Sequence, residues 1–132
     1  MTGKSKQTMQ VAQKAFEHFK QGLATGKWQA FFAMLADDFT FTFPQGKYQG
    51  SHQGKAIAEE FFTYVSQTFP AGIHVVEVLR VTGNDKTVIF EFRDEGMLRG
   101  QPYKNRVAVS FDVCGEKICA YREYFGSDGK SN

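Results

Sequence analysis

The 132-residue chain is poor in the residues that usually carry sequence motifs, with two cysteines, three histidines, three prolines and one tryptophan. His18, His52 and His74 fall on a predicted helix, a loop and a strand start, so no pair has metal-ligand spacing. There is no CxxC and no His/Cys cluster, and no metal or cofactor is implied. Charge of one sign is lacking too. The formal net charge is +2, and no basic cluster interleaves with aromatics, which argues against a nucleic-acid partner. No apolar run approaches the ~18 residues of a membrane-spanning helix. The opening MTGKSKQTMQ has no apolar h-region, so the expected location is the cytoplasm. GSHQGK has the glycines of a phosphate loop without the Walker spacing and is expected to be an ordinary loop. These exclusions leave one small domain with a real core.

Phenylalanine is abundant, with 14 copies. Met9, Ala12, Phe16, Phe19 and Leu23 recur at spacings of three and four and predict a helix ending near Gly26. Trp28, Phe31, Phe32 and Leu35 form a shorter stripe. Phe39, Phe41 and Phe43 alternate with threonines as a strand stopped by Pro44. Ile57, Phe61, Tyr64, Val65 and Phe69 mark a third helix, closed by Pro70 and Gly72. Strand-like runs then follow over 73–82, 86–97, 102–113 and 117–125. Helices followed by a strand meander predict an α+β domain, with helices packed on one curved antiparallel sheet. Residues 1–7 and 127–132 are expected to be flexible tails around a single domain over 8–126.

The turns predict the register. Gly115-Glu116 suits a two-residue type II′ loop, which pairs 114 with 117 and 112 with 119. Cys114 and Cys119 are then diagonal neighbours, roughly 7–8 Å apart, and are expected to be free thiols. Continuing that register sets Ser110 opposite Tyr121, Ala108 opposite Glu123 and Arg106 opposite Phe125. A two-residue loop at Arg99-Gly100 sets Arg93 opposite Arg106 and Glu91 opposite Ala108. One face would collect Glu91, Arg93, Arg106, Ser110, Asp112, Tyr121 and Glu123. The other would collect Phe90, Phe92, Val107, Val109 and Phe111. Pattern alone leaves two arrangements open: the polar face meets water, or it lines a pocket under the helices.

Three stretches carry a family resemblance: LADDFTFTFPQG, then YQGSHQGKAIAEEF, then GQPYKNRVAVSFDVCGEKICAYREYFG. Together with the order of elements over roughly residues 8–126, they resemble the SnoaL-like and ketosteroid-isomerase-like proteins of the nuclear transport factor 2-like superfamily. The resemblance implies three helices on a strongly curved, mixed but mostly antiparallel sheet, forming a cone around an apolar pocket. It implies a homodimer through the outer sheet face, and a small hydrophobic ligand or substrate inside. It also implies that Tyr121, Glu123 and Phe125 face the cone, which favours the pocket arrangement for the polar face.

Steroid-isomerase chemistry is not implied. The family's general-base position falls on Phe43, its oxyanion tyrosine on Phe19 and its second acid on Ala108, and none of the three supplies the needed group. Asp37 and Asp38 precede the catalytic position, at the helix-to-strand junction. Limonene-1,2-epoxide hydrolases share the fold and use an Asp-Arg-Asp set, whose last acid aligns with Glu123. An arginine–acid partner is available as Arg93-Asp94-Glu95 or as Glu91-x-Arg93. In SnoaL-type cyclases too, Glu123 would be the pocket acid. The expected site therefore has Glu123 and Arg93 as catalytic residues. Tyr121, Glu91, Arg106, Ser110, Phe43, Phe19, Tyr48 and Phe125 are expected to contact the ligand. An enzyme of isomerase, hydrolase or cyclase type, a non-catalytic binding module and a dimeric interaction domain all fit these residues.

Overall fold

The computed structural model describes residues 3–126. The first helix, α1, spans Gly3–Thr25 and buries the predicted stripe of Ala12, Phe16, Phe19 and Leu23. It is followed by α2 (Gln29–Phe32), β1 (Leu35–Phe43), a 3-10 turn at Gly46–Tyr48, β2 (Gly50–Gln53) and α3 (Lys55–Thr68). Four long strands complete the chain: β3 (Ile73–Gly83), β4 (Thr87–Leu98), β5 (Gln101–Cys114) and β6 (Lys117–Gly126). The sheet order is β2-β1-β6-β5-β4-β3, with only β1 and β6 parallel. This is the expected α+β arrangement of three helices on a mixed, mostly antiparallel sheet. Register shifts within β3 curve the sheet around the helices.

Two local expectations fail for reasons that lie elsewhere along the chain. Residues 3–7 are helical instead of a loose tail. Ser5 donates to the Asp85 carboxylate, and Thr8 Oγ1 donates to the Asp85 carbonyl at 2.7 Å, which fixes α1 to the β3–β4 loop. The tail expected over 127–132 lies outside the described residues. Short β2, expected as loop, pairs with β1 from Thr40–Gln53 to Phe43–Gly50.

The Arg99-Gly100 turn forms as expected. Both residues have positive φ, 53° and 79°, the type I′ requirement. Arg93 therefore lies opposite Arg106, and Glu91 opposite Ala108. The Gly115-Glu116 loop also forms, with Cys114 opposite Lys117. Beyond it, Cys119 is an extra residue in β6, so Asp112 pairs with Ala120 instead of Cys119. This one-residue bulge moves Tyr121 opposite Phe111, Glu123 opposite Val109 and Phe125 opposite Val107. Every later side chain of β6 thereby changes face relative to the turn-based register. The bulge also overturns the free-thiol expectation. Cys114 and Cys119 form a disulfide, with their Cα atoms 5.8 Å apart, within the range a bridge accepts.

The inner face of the sheet is aromatic. Phe16 of α1 stacks on Phe90 of β4 with ring centroids 4.2 Å apart. Phe19 sits among the rings of Trp28, Phe31, Phe62, Phe92, Phe111 and Tyr121. Trp28 fits against α1 because residue 22 is glycine; a Cβ there would come within 2.2 Å of the indole. Its ring nitrogen donates to Ser66 Oγ at 2.7 Å. Alternation along FTFTF supplies the β1 wall, since Phe41 stacks on Phe61 of α3 at 4.8 Å.

Candidate functional site

Between α1, α3 and the inner sheet face lies a cavity of about 310 Å³. Phe19, Phe43, Phe61, Phe62, Phe69 and Phe125 give it apolar walls, and the Gln45–Tyr48 segment borders it. Lys47 and Tyr48 also line a neighbouring surface groove with Glu59 and Glu60, which places them at the mouth. Tyr48 O–H donates to Glu60 Oε2 at 2.7 Å. That bond, reinforced by burial, raises the Tyr48 phenol to about 12.

At the sheet end the wall turns polar. Asp94 on β4, Tyr103 and Asn105 on β5, and Tyr121 and Glu123 on β6 all line the cavity. They belong to one face because Asp94 pairs with Asn105 across β4–β5, while the bulge at Cys119 brings Tyr121 and Glu123 inward. Asp94 continues the inward alternation of Phe90 and Phe92 and is only 5% exposed. Its Oδ1 has no hydrogen-bond partner among the described residues. Glu123 stays half-buried on the cavity wall and accepts a hydrogen bond from Tyr121 O–H, while Tyr121 itself is buried. Asn105 Nδ2 donates to Tyr103 Oη at 3.0 Å, and its Oδ1 accepts from Arg106 N.

The electrostatics follow from this placement. Burial pushes the Asp94 carboxyl up to about 7. Burial likewise pushes Glu123 up to about 7, with repulsion from Asp94 adding to the rise and the Tyr121 hydrogen bond opposing it. The Tyr103 and Tyr121 phenols are raised by burial and by the nearby acids. Two carboxyls on the wall of a mostly apolar cavity disfavour each other's ionisation, so near neutrality one holds its proton while the other ionises. The Tyr121 bond favours the state with Glu123 ionised and Asp94 neutral.

The structure separates the expected site residues into two groups. Glu123, Tyr121, Phe125, Phe43, Phe19 and Tyr48 all line the cavity. Arg93, Glu91, Arg106 and Ser110 do not. Arg93 lies on the opposite face of β4 from Asp94, with its Nε 4.0 Å from the Glu77 carboxylate. Glu91 is held there by Arg80 at 3.1 Å. Arg106 is exposed, and Ser110 accepts from Arg122 in a cluster with Asp112. These four share a face with Tyr121 and Glu123 only in the turn-based register that the bulge breaks. Asp37 and Asp38 are exposed at the irregular start of β1. His52 Nε2 lies 2.8 Å from the Tyr48 carbonyl oxygen, and its ring stacks on Phe41. Tyr103 and Asn105 are not among the expected residues, and Asp94 enters the expectation only as a sequence neighbour of Arg93. The alternation Phe90-x-Phe92-x-Asp94, joined to the correct Arg99-Gly100 register, is the signal that places all three.

The fold and its lined cone define a nuclear transport factor 2-like protein. Within that class, the SnoaL-like domain profile matches residues 16–121, and the chain belongs to that family. An NTF2-like protein from Anabaena variabilis ATCC 29413 is 63% identical over 100% of this chain and 98% of its own, with a TM-score of 0.93. A protein from Xanthomonas campestris pv. campestris, provisionally assigned as a polyketide cyclase, is 21% identical over 94% and 93% of the two chains, with a TM-score of 0.78. An LEH-like epoxide hydrolase from M. tuberculosis is 20% identical over 89% and 84%, with a TM-score of 0.69. No curated protein sequence matches the chain.

Proposed function

We propose that this chain is a cofactor-independent acid–base enzyme acting on a small hydrophobic molecule, within the isomerase, hydrolase or cyclase range of its fold. One observation carries the proposal: an otherwise aromatic cavity ends on two carboxyls, Asp94 and Glu123, with no ion-pair partner at either among the described residues. General acid–base catalysis works best when the group's pKa lies near the working pH, and both acids meet that condition. Ionised Glu123, oriented by Tyr121, takes a proton from a substrate carbon or from a water. Neutral Asp94 donates a hydrogen bond to the oxygen on which negative charge develops, and the proton returns at the end of the cycle. The aromatic walls hold the apolar part of the substrate, and the volume lies at the small end of the ~300–1,000 Å³ usual for ligand sites.

A panel of enolisable aryl ketones and aryl epoxides, incubated in D₂O and followed by proton NMR, tests this. The wild-type protein should exchange or hydrolyse at least one class. Glu123→Gln should lower that rate by about 10²-fold or more while the same compounds still bind. Undiminished turnover in Glu123→Gln removes the role given to Glu123, and binding without turnover in the wild type supports a binding module instead.

The protein is further proposed to be a homodimer through the outer face of β4, β5 and β6. The support is apolar surface on that face, where Tyr124 is 56% exposed and Ile89 38% exposed. Sedimentation at micromolar concentration should show a dimer that Tyr124→Glu weakens. A wild-type monomer there contradicts the proposal.

A further inference from the structure

Among the described residues, no basic side chain stands at the acidic end of the cavity. Three arginines lie on the strands that build it, and all three face away. Arg93 is beside Glu77, Arg106 is exposed, and Arg122 is bonded to Asp112 and Ser110. Lys47 is the one basic residue lining the cavity among the described residues. It stands at the mouth, with its Nζ 5.5 Å from the Tyr48 ring centroid and 5.1 Å from that of Tyr64. No histidine among the described residues lines the cavity.

Donors are scarce at that end as well. Tyr121 O–H is used on Glu123, and one of the two Asn105 amide N–H groups is used on Tyr103. Tyr103 O–H and the second Asn105 N–H are the remaining side-chain donors against the carboxyl oxygens of Asp94 and Glu123, and even so Asp94 Oδ1 is buried without a partner among the described residues. A buried acceptor left in this state is costly, and a ligand that brings a charged donor removes the cost. Phe43, Phe61, Phe69, Tyr103 and Phe125 line the same cavity, and aromatic rings attract cations.

We infer that the ligand is a small hydrophobic amine, bound with its ammonium group between Asp94 and Glu123 and its apolar body against the phenylalanine walls. This rests on the same cavity as the proposed enzyme site, where the ammonium takes the place of the proton on Asp94 and holds both acids ionised, so the amine is a ligand that competes with the neutral substrates. A ligand carboxylate is excluded from that end, because it would be a third acid beside two. A neutral alcohol gains one hydrogen bond and no ion pair.

Three probes of one shape decide it: 2-naphthylmethylamine, 2-naphthalenemethanol and 2-naphthoate, titrated by calorimetry and NMR at about pH 7.5. The amine should bind about 10-fold or more tighter than the alcohol, with the carboxylate weakest. Asp94→Asn should remove most of the amine's advantage and leave the alcohol within about threefold, a difference of less than 1 kcal/mol. Equal binding of amine and alcohol, preference for the carboxylate, an amine advantage that survives in both Asp94→Asn and Glu123→Gln, or no binding of any probe up to millimolar concentration overturns the inference. The two proposals fail separately. Glu123-dependent turnover of neutral substrates without amine preference leaves the enzyme standing and removes the amine. Amine preference without turnover of any compound does the reverse.

Discussion

Gly72→Ala is expected to destabilise the protein by about 3 kcal/mol or more, combining backbone strain with a steric clash. Gly72 stands just before β3, at φ +89°, a conformation that disfavours any side chain. A Cβ built on it would lie 2.3 Å from the Ala24 carbonyl oxygen and 3.0 Å from the Ala24 carbonyl carbon. The obstacle is backbone at the end of α1, so it has no rotamer by which to escape. Gly96 closes the other side, since a Cβ there would lie 2.8 Å from the Gly72 carbonyl oxygen. The two glycines let the end of α1, the start of β3 and β4 meet, and this junction brings Ile73 and Phe69 to the cavity wall. A total stability of about 5–15 kcal/mol is usual for a domain, so the loss should appear as a fall in Tm of roughly 10 °C or as failure to fold. A Tm within about 2 °C of wild type contradicts this account of the junction.

Asp94→Asn is expected to act in the opposite direction above neutral pH and to do nothing in acid. The unfolded carboxyl has its ordinary value of 3.8, whereas the folded one is pushed up to about 7. Below the unfolded value both states are protonated and burial carries no ionic penalty. As pH rises from there to about 7, the unfolded chain ionises while the folded chain holds its proton, so stability falls; above about 7 the penalty is complete. A rise of this size corresponds to about 4 kcal/mol. Asparagine keeps the shape and removes the titration. At about pH 8 the variant should melt several degrees to ~10 °C above wild type, and near pH 4 the two should coincide. Equal Tm values at both pH values contradict the raised Asp94. A more stable variant that has lost activity or amine preference is the usual relation between a strained site and its function.

Most of the architecture was legible because it is periodic. Stripes at three and four marked α1 and α3, FTFTF marked β1, and paired turn residues at Arg99-Gly100 fixed the β4–β5 register without error. The site was less legible because one residue decides it. Cys119 has no partner in β5, and that single insertion exchanges the two faces of β6. From the turn alone, Tyr121 and Glu123 join Arg93, Glu91, Arg106 and Ser110; in the fold they join Asp94, Tyr103 and Asn105. The family resemblance places Tyr121, Glu123 and Phe125 inward correctly, and the arginines do not follow them. A bulge leaves little trace in hydrophobic alternation, and here the visible trace is the cysteine pair it brings within bonding distance. Asp94 is hidden differently. It stands in the charged run Arg93-Asp94-Glu95, where its neighbours are surface groups and only its parity with Phe90 and Phe92 shows that it is buried.

The central claim is that Asp94 and Glu123 form a coupled acid pair inside an apolar cavity. Carboxyl carbon-13 NMR of the free protein, with Asp94→Asn and Glu123→Gln for assignment, tests it most directly. Two side-chain resonances should titrate around pH 7; Asp94→Asn should turn Glu123 into a simple titration at a lower value, and Glu123→Gln should leave a simple Asp94 titration still raised by burial. Completion of both titrations below about pH 5, the range of ordinary solvated carboxylates, would contradict the claim.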